Sequence, residues 1–442
     1  MKKISLLCGI IFIVFNSAAQ PAKHVIIISI DGFRPEFYLD PSWPAPNLQQ
    51  LMKEGLYAQQ VRPVFPSVTY PNHVTLITGA LPARHAVFAN TPFEPEGATG
   101  RWNWEAALIK VPTLWDATHQ AGMKSASVDW PVSVGAPIDY NIPEIWAADG
   151  KSDNTVPLKA ATTPVSLWEE VEENATGKIL SGDVNSEYLN SDENSGRMAA
   201  YIIRTYKPSL TTLHLAATDH AQHGYGREGL EIRKALAAAD RVLGEILEAI
   251  EKAGIKDSTA ILIVGDHGFA DVHSTLYPNV WLLQKGLLGK GKDWKVKFQS
   301  TSGSAFLHLQ TKGDVQTLSA VKKMLDELPL VQKRLFRVID KTELEKSGAD
   351  PDAMLALSPI PGIAIGGSSE GEVMKAAMQK GTHGYYPDFP EMMTGFVGWG
   401  AGFRQGIVIP QMGEQDIAPI VAKLLGLSFT APDGILLPGI IK

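Results

Sequence analysis

Carboxylates, imidazoles and one threonine hydroxyl recur along this chain where apolar runs end or glycine-rich turns begin. Oxygen and imidazole groups of these types are the ligands that hard or borderline divalent cations such as Zn²⁺ accept. Their recurrence in separate segments predicts a site for two metal ions that acts on a phosphate group. The residues concerned are Asp31, Thr69, Asp219, His223, Asp266, His267 and His383.

Two of these segments end an apolar run, although each also has an ordinary structural explanation. Asp31 follows the run 24–30, where an aspartate can serve simply as a turn former or helix cap. Asp266 and His267 precede Gly268, so both side chains can approach a metal cluster. A surface turn with a hydrogen-bonded histidine is the alternative for this second segment.

Two further segments combine candidate ligands with a predicted helix start. Asp219 and His223 are four residues apart, so a helix that begins there places both on one face and lets one turn hold one metal ion. Thr69 lies two residues before Pro71, which suits the first turn of a helix. Its hydroxyl is then either a simple helix cap or a nucleophile activated by helix amides and metal ions.

The elements that position these residues alternate between strands and helices. Apolar β-branched runs predict strands, and amphipathic stretches that end near glycine predict helices. This alternation predicts an α/β fold with a mostly parallel central sheet flanked by helices. Ligands of such sheets gather at the carboxyl ends of the strands, so distant segments can meet there. Strands are expected at 24–30, 124–129, 209–217 and 259–264, and helices at 46–54, 114–120, 228–253 and 415–425.

The pattern changes near residue 274, where short strand candidates surround one helix before a Pro/Gly-rich stretch. We interpret residues 274–379 as a smaller α+β insertion, which divides the catalytic domain into 20–273 and 380–442. The insertion returns the chain to the predicted metal edge at Gly381. The strand candidates are 294–298, 305–310 and 335–339, and the helix is 315–328.

The amino terminus has the pattern of a secretory signal peptide. Lys2 and Lys3 precede the apolar run 4–15, and small residues follow at 16–20. The run is short for a membrane span, so an uncleaved anchor is the less favoured alternative. We therefore predict removal of residues 1–19 and secretion to the periplasm or the extracellular space, without a stable membrane anchor.

Charge and cysteine content restrict the partners. The chain carries 40 Lys and Arg against 47 Asp and Glu, a formal charge of −7, and contains no basic run. The sequence therefore does not predict binding to a nucleic-acid duplex. The single cysteine, Cys8, lies in the predicted leader, so the mature chain must depend on its core and on bound metal rather than on disulfides.

Taken together, the motifs resemble a known family. The segment 65–73, continuing through Gly79 and His85, is similar to the nucleophile segment of nucleotide pyrophosphatase/phosphodiesterases, a branch of the alkaline phosphatase superfamily. The resemblance covers nearly the whole predicted mature chain and implies an alkaline-phosphatase-like fold. The other matching motifs are Ile30-Asp31-Gly32-Phe33-Arg34, Asp266-His267-Gly268 and Gly381-Thr382-His383-Gly384-Tyr385.

The resemblance also implies roles for individual residues. Thr69 would be the nucleophile and a ligand of the first of two zinc ions. Asn90 matches the asparagine that binds a non-bridging phosphate oxygen, and Tyr70, beside the nucleophile, is expected to pack on the leaving group. The implied ligands are Asp31, Asp266 and His267 for the first zinc ion, and Asp219, His223 and His383 for the second.

Two positions depart from the family pattern. Gln222 stands where the family usually has glycine, and His214 stands where nucleotide-cleaving members commonly have tyrosine. The metal assignment is unaffected, but both residues are expected to reshape the substrate groove. His214 is therefore counted among the expected substrate contacts, and nucleotide preference is left open.

The implied chemistry is a two-step phosphoryl transfer to small-molecule phosphate esters. Thr69 would attack phosphorus, and metal-activated water would then hydrolyse the phospho-threonine. Asn90 is neutral and no motif ties a Lys or Arg to the pocket, so diesters such as nucleotide esters are favoured over monoesters. An alkaline phosphomonoesterase or phosphonate hydrolase is the alternative, and a non-catalytic phosphoester-binding protein is a distant one.

Overall fold

A computed structural model describes residues 22–289 and 293–442, so the predicted leader at 1–19 lies outside the described residues. Among the described residues the strands alternate with helices through most of the chain. The strands are β1 His24–Ile30, β2 Leu56–Arg62, β3 Ser125–Val128, β4 Tyr140–Ile142, β5 Leu210–Leu215, β6 Thr259–Val264, β7 Ala270–Leu276, β8 Val296–Ser300, β9 Ala305–Leu309, β10 Phe336–Ile339, β11 Ala356–Pro359, β12 Gly362–Ile365, β13 Met374–Ala376, β14 Gly381–Thr382, β15 Thr394–Gly400, β16 Ile407–Ile409 and β17 Met412–Gly413.

Several of the helices pack on the two faces of a central sheet. The helices are α1 Glu36–Leu39, α2 Pro46–Glu54, α3 Thr69–Thr78, α4 Pro82–His85, α5 Leu114–Gln120, α6 Thr155–Ala161, α7 Ser166–Val171, α8 Tyr188–Tyr206, α9 Ala217–Tyr225, α10 Leu230–Lys252, α11 Pro278–Gln284, α12 Val315–Asp326, α13 Leu330–Lys333, α14 Lys341–Ser347 and α15 Ile417–Leu425.

The central sheet has the strand order β16-β2-β15-β6-β1-β5-β3-β4, with β17 beside β2. The five strands from β6 to β4 are mutually parallel, whereas β15 runs antiparallel to both of its neighbours. Ile26 and Ile28 face one core with α8 and α10, and Val25 and Ile27 face another with α5 and α15. Burial on both faces explains the unbroken apolar run of β1 and confirms the predicted α/β fold with a mostly parallel sheet.

Two smaller sheets lie in the part of the chain predicted as an insertion. Strands β10, β11, β9 and β8 form an antiparallel sheet whose core includes residues of α12. Strand β7 pairs with β12, β13 and β14. Strand β7 crosses the predicted limit at 274, and β14 lies beyond the limit at 379. This third sheet therefore joins the two regions, and the domain limits stay a prediction.

Candidate active site

Three carboxylates meet at one edge of the central sheet. Strands β5, β1 and β6 are adjacent and parallel, so their carboxyl ends lie side by side. Asp31 follows β1 directly, and Asp266 lies just beyond the end of β6. Asp219 lies in the first turn of α9, which begins shortly after β5. The topology therefore brings together three residues that are far apart in the sequence, as the strand pattern predicts.

The first group combines two carboxylates, one imidazole and the Thr69 hydroxyl. His267 Nε2 lies 3.2 Å from Asp31 Oδ1 and 3.3 Å from Asp266 Oδ2. Thr69 Oγ1 lies 3.5 Å from the same nitrogen. All four side chains are buried. The four residues expected around one metal ion are thus clustered about a single imidazole nitrogen.

The second group consists of Asp219, His223 and His383. Asp219 Oδ2 lies 3.4 Å from His223 Nε2, and Asp219 Oδ1 lies 3.4 Å from His383 Nε2. One ligand atom from each residue lies within 4.8 Å of the other two. The same limit holds for Asp31, Asp219 and His267, so Asp219 belongs to both sets. Two neighbouring cation positions fit this arrangement.

Main-chain carbonyl groups orient the three imidazoles. In each ring, Nδ1 is the atom near a carbonyl oxygen, and because a carbonyl only accepts, Nδ1 carries the hydrogen while Nε2 keeps its lone pair for a metal ion. Burial lowers the pKa of His383 to about 4 and holds the pKa of His267 well below its usual range, which keeps both rings neutral. The pairs are His223 with Gly381 at 3.0 Å, His267 with Gly268 at 3.1 Å and His383 with Ser67 at 3.0 Å.

Each of the three carboxylates has one oxygen atom without the partner that buried negative charge requires. Asp31 Oδ1, Asp219 Oδ1 and Asp266 Oδ2 are buried without a hydrogen-bond partner among the described residues. Burial and repulsion from Asp219 raise the pKa of Asp266 to about 8, and burial and repulsion from Asp266 raise the pKa of Asp31 well above its usual range. Since divalent cations would supply the missing positive charge, the donor set fits a pair of such ions.

Thr69 is the first residue of α3, as the sequence predicts, and Asn90 lies beside it. Asn90 Oδ1 accepts a hydrogen bond of 2.9 Å from the Tyr70 N–H. Both Thr69 and Asn90 line a pocket of about 270 Å³ that adjoins the two groups. A helix N-terminus and a carboxamide next to a hydroxyl are groups that bind an oxyanion.

The pocket wall also contains residues that no motif in the sequence identified. They occupy loops and element ends, where neither the helical nor the strand period gives a signal. None of the described residues that line the pocket is Lys or Arg. The unforeseen wall residues include Trp102, Glu144, Trp146, Asn185, Tyr188, Ser300, Thr301 and Ser302.

Two residues expected at the substrate groove lie behind the pocket wall. Tyr70 is fully buried, and its ring packs at a centroid distance of 5.3 Å from that of Trp102, which lines the pocket in its place. The expected packing of Tyr70 on a leaving group is therefore not provided by this arrangement. Gln222 is also fully buried, and its Nε2 donates to the Gly32 carbonyl at 3.0 Å, so it braces the turn that follows Asp31.

His214 lies at the pocket edge beside a candidate metal ligand. Its Nε2 is 3.5 Å from Asp31 Oδ2, and its Nδ1 is 3.0 Å from His73 Nε2. His73 Nδ1 lies 2.8 Å from the Thr69 carbonyl oxygen and must donate there, so His73 Nε2 is an acceptor, and Ser29 Oγ lies 2.8 Å from it in addition to His214 Nδ1. His214 therefore lies between His73 and Asp31, and contact of His214 with substrate stays a prediction.

Comparison with known proteins gives the same result as the motifs. The model of a family described as type I phosphodiesterase / nucleotide pyrophosphatase matches residues 25–386. The ectonucleotide pyrophosphatase/phosphodiesterase family member 1 of Homo sapiens is 24% identical over 422 residues, which cover 91% of this chain and 40% of the relative. A venom phosphodiesterase, CdcPDE of Crotalus durissus collilineatus, is 22% identical over 429 residues, covering 93% and 45%. This chain thus spans less than half the length of these two relatives.

Solved structures share the fold. Human ectonucleotide pyrophosphatase / phosphodiesterase 5 gives a TM-score of 0.66 at 18% identity, covering 92% of this chain and 96% of that one. An inactive variant of the murine protein in complex with AMP gives 0.65 at 19% identity, with the same coverage. The relatives are named as phosphodiesterases and pyrophosphatases, which hydrolyse phosphoric esters. Because the family model covers most of its residues, this chain belongs to the type I phosphodiesterase/nucleotide pyrophosphatase family.

Proposed function

We propose that this protein is a secreted two-zinc phosphodiesterase of the nucleotide pyrophosphatase type that acts through a covalent phospho-threonine at Thr69. The observation that carries the proposal is the position of the Thr69 hydroxyl, 3.5 Å from His267 Nε2 at the start of α3 and beside Asn90. Family membership supports a phosphoric ester substrate. The murine relative that holds AMP makes nucleotide esters one group of candidate substrates.

The two clusters of side chains divide the metal ligands between them. When bound, the zinc ions supply positive charge at the attacking and leaving oxygens and favour the deprotonated form of a coordinated hydroxyl. We assign Asp31, Thr69, Asp266 and His267 to one ion, and Asp219, His223 and His383 to the other.

The reaction then follows from the position of Thr69. Its Oγ1 attacks phosphorus in line while the bond to the leaving oxygen breaks, which gives phospho-threonine and an alcohol or nucleotide that takes up the proton. Water next attacks the same phosphorus, the bond to Oγ1 breaks, and a proton from the water restores the Thr69 hydroxyl, so the product is a phosphate monoester. The Thr69 N–H and Nδ2 of Asn90 would hold the non-bridging oxygens in both steps, since the Tyr70 N–H already donates to Asn90 Oδ1.

The charge of the pocket favours diesters over monoesters. A phosphate monoester carries one more charged oxygen than a diester and is held best where a Lys or Arg approaches it. No described residue that lines the pocket is Lys or Arg, and Asn90 is neutral. The pocket therefore suits the single negative charge of a diester.

A comparison of three chromogenic substrates tests the proposal on the zinc-loaded protein. We expect a higher kcat/KM for bis-p-nitrophenyl phosphate and for a nucleotide p-nitrophenyl ester than for p-nitrophenyl phosphate. A higher value for the monoester would contradict the assignment of diesters. Failure to turn over any of the three, together with fewer than two zinc ions per chain, would leave a binding protein as the better description.

Secretion rests on the sequence of the amino terminus. The predicted leader at 1–19 lies outside the described residues. Within 22–289 and 293–442, no helix is both long and apolar enough to cross a bilayer. Expression with and without the first 19 residues, followed by detection in the medium or periplasm, measures export directly.

A further inference from the structure

We propose that Phe93 is a positioning residue for phosphate binding and that it acts through the loop 91–95, which follows Asn90. The inference rests on the proposed function, because Asn90 needs a defined position only if the pocket binds a phosphate group. It gives the antiparallel sheet formed by β8 to β11 a role in the active site.

The carboxamide of Asn90 is held from one side by neighbouring main chain. The side-chain Oδ1 accepts a hydrogen bond from the Tyr70 N–H at 2.9 Å. The main-chain carbonyl oxygen of Asn90 accepts one from the Asn103 N–H, also at 2.9 Å. Because Oδ1 is already engaged, the Nδ2 hydrogens are the donors left for a ligand. On the other side the chain continues into the loop 91–95, so the position of the carboxamide also depends on what holds that loop.

Strand β8 holds the main chain of this loop at two points. Gln299 Nε2 donates to the Thr91 carbonyl at 3.3 Å, and Lys297 Nζ donates to the Pro95 carbonyl at 2.9 Å. The two bonds fix the ends of the loop but leave its middle to be held by packing.

Phe93 supplies that packing. Its ring stacks on His308 of β9 with a centroid distance of 4.4 Å and an interplanar angle of 30°. It also meets the ring of Trp294 edge-on at 5.6 Å and 88°. Aromatic pairs favour these defined geometries over a sliding contact, so the half-buried Phe93 joins the loop to the core of the antiparallel sheet.

The same β8–β9 hairpin contacts the chain next to a candidate metal ligand. Ser304 Oγ donates to the Gly384 carbonyl at 2.7 Å, directly after His383. A Cβ added at Gly384 would lie 2.0 Å from the Thr301 carbonyl oxygen, so the two backbones are in close contact. One hairpin thus supports both Asn90 and the His383 segment. It thereby sets the distance between the Nδ2 donors of Asn90 and the candidate metal ligand His383.

Phe93→Ala in the zinc-loaded protein is the central test. We expect kcat/KM for bis-p-nitrophenyl phosphate to fall roughly tenfold because the Nδ2 donors lose their fixed position, with zinc content unchanged. Phe93→Tyr keeps the ring and should restore activity. Leu318→Ala, on α12 in the same core cluster, is the matched control for general loosening of this sheet and should leave kcat/KM within about twofold of the wild type.

A double-mutant cycle separates positioning from general damage. If Phe93 acts through Asn90, Phe93→Ala should add less than about a twofold loss in an Asn90→Ala background. The proposal would be overturned if Phe93→Ala lowered kcat/KM by the same factor in the wild-type and the Asn90→Ala backgrounds. It would also be overturned if Leu318→Ala lowered kcat/KM as much as Phe93→Ala does. If the wild type hydrolyses no ester, the proposed function fails. The double-mutant cycle is then measured as the affinity of the same variants for inorganic phosphate, determined by calorimetry. A wild-type protein that binds no phosphate would overturn both.

Discussion

The imidazole rings of His267 and His383 stack at a centroid distance of 3.6 Å and an interplanar angle of 7°. His267 belongs to the group around Asp31, and His383 belongs to the group around Asp219, so this stack sets the two candidate metal positions side by side. Two protonated rings would repel each other at this distance, and burial keeps both neutral. Both can therefore present a lone pair to a metal ion near neutral pH.

Removal of the Thr69 hydroxyl should abolish turnover while metal binding persists. Thr69→Ala is expected to lower kcat for bis-p-nitrophenyl phosphate by about 10³-fold or more, because no other group replaces the nucleophile. Asp31, Asp266 and His267 remain, so zinc content by elemental analysis should stay close to that of the wild type. Thr69→Ser keeps a hydroxyl and should retain measurable activity. Full activity of Thr69→Ala would exclude Thr69 as the nucleophile.

Metal removal should make stability fall as pH rises. The pKa of Asp266 in the folded chain is about 8, against about 3.9 for an unperturbed aspartate, so the folded apo protein keeps a proton that the unfolded chain releases. Its contribution is complete below the unfolded pKa and is lost as pH rises toward the folded one. Above about pH 7.5 the histidine rings are largely neutral in both states and have little effect on this trend.

Thermal unfolding from about pH 7.5 to about pH 9 measures this dependence. We expect the unfolding temperature of chelator-treated protein to decrease over the range and that of zinc-loaded protein to change less. The apo Asp266→Asn variant, which has no proton to lose at this position, should show a smaller decrease than the apo wild type. A rising unfolding temperature in the apo wild type would contradict the pKa of Asp266.

Asp192 should stabilise the helix that carries two candidate ligands. Its carboxylate oxygens accept from the Ala216 and Ala217 N–H groups at 2.8 and 3.1 Å, which caps α9 from a neighbouring helix. Asp192→Ala is expected to lower the free energy of unfolding by about 1–2 kcal/mol, measured by urea denaturation. Zinc affinity should also fall, by roughly tenfold, because α9 carries Asp219 and His223.

Asp314→Ala is the matched control for the loss of a helix cap. Asp314 accepts from the Thr317 N–H at 2.9 Å at the start of α12, away from the metal groups. Its removal should cost about 1 kcal/mol of stability and leave zinc affinity unchanged. Equal zinc affinity in the two variants would show that the Asp192 cap does not support the site.

His214 should affect metal binding through Asp31. Its Nε2 lies 3.5 Å from Asp31 Oδ2, so the ring contacts a carboxylate that we assign to a metal ion and helps to fix its orientation. His214→Phe is expected to lower zinc affinity by roughly tenfold, measured by competition with a fluorescent chelator. His220→Phe is the control, since His220 stacks on Tyr188 instead. Unchanged zinc affinity with an altered order of substrates would instead assign His214 to substrate recognition.

The sequence predicted best those elements whose burial leaves a simple pattern. The strands 24–30 and 259–264 and the helices 46–54 and 114–120 coincide with β1, β6, α2 and α5. A strand buried on both faces is a short apolar run, and its end is marked by a polar residue or glycine. Because candidate ligands stand at those ends, the convergence of Asp31 and Asp266 could be inferred together with the strands.

Elements whose position depends on distant packing could not be inferred. Helix α8, Tyr188–Tyr206, was not predicted, because its first half is polar and Gly196 lies in its middle. A Cβ at Gly196 would lie 2.7 Å from Val242 Cγ1, so this glycine allows α8 to approach α10 closely. The strand expected at 209–217 ends at Leu215, because Asp192 of α8 caps a helix that begins at Ala217.

The residues of the pocket wall were the part of the candidate site that the sequence predicted least well. Trp102 and Trp146 lie in loops, and their rings approach to a centroid distance of 5.0 Å only after the chain has folded. No period or motif marks them. Tyr70, which the sequence placed on the leaving group, is buried by the same aromatic cluster.

The anchoring of three imidazoles on peptide carbonyls has a consequence for tolerance to change. Every residue carries a carbonyl group, so substitution of Ser67 leaves the acceptor of His383 in the chain. At Gly268 and Gly381 an added Cβ would lie 2.1 Å from the Glu391 carbonyl oxygen and 2.6 Å from that of Gln222, so these two positions also need glycine to keep the backbone in place. Only a shift of the backbone itself can remove such an acceptor. Ring orientation therefore depends on the path of the chain, and the candidate ligand nitrogens keep their direction as long as that path is kept.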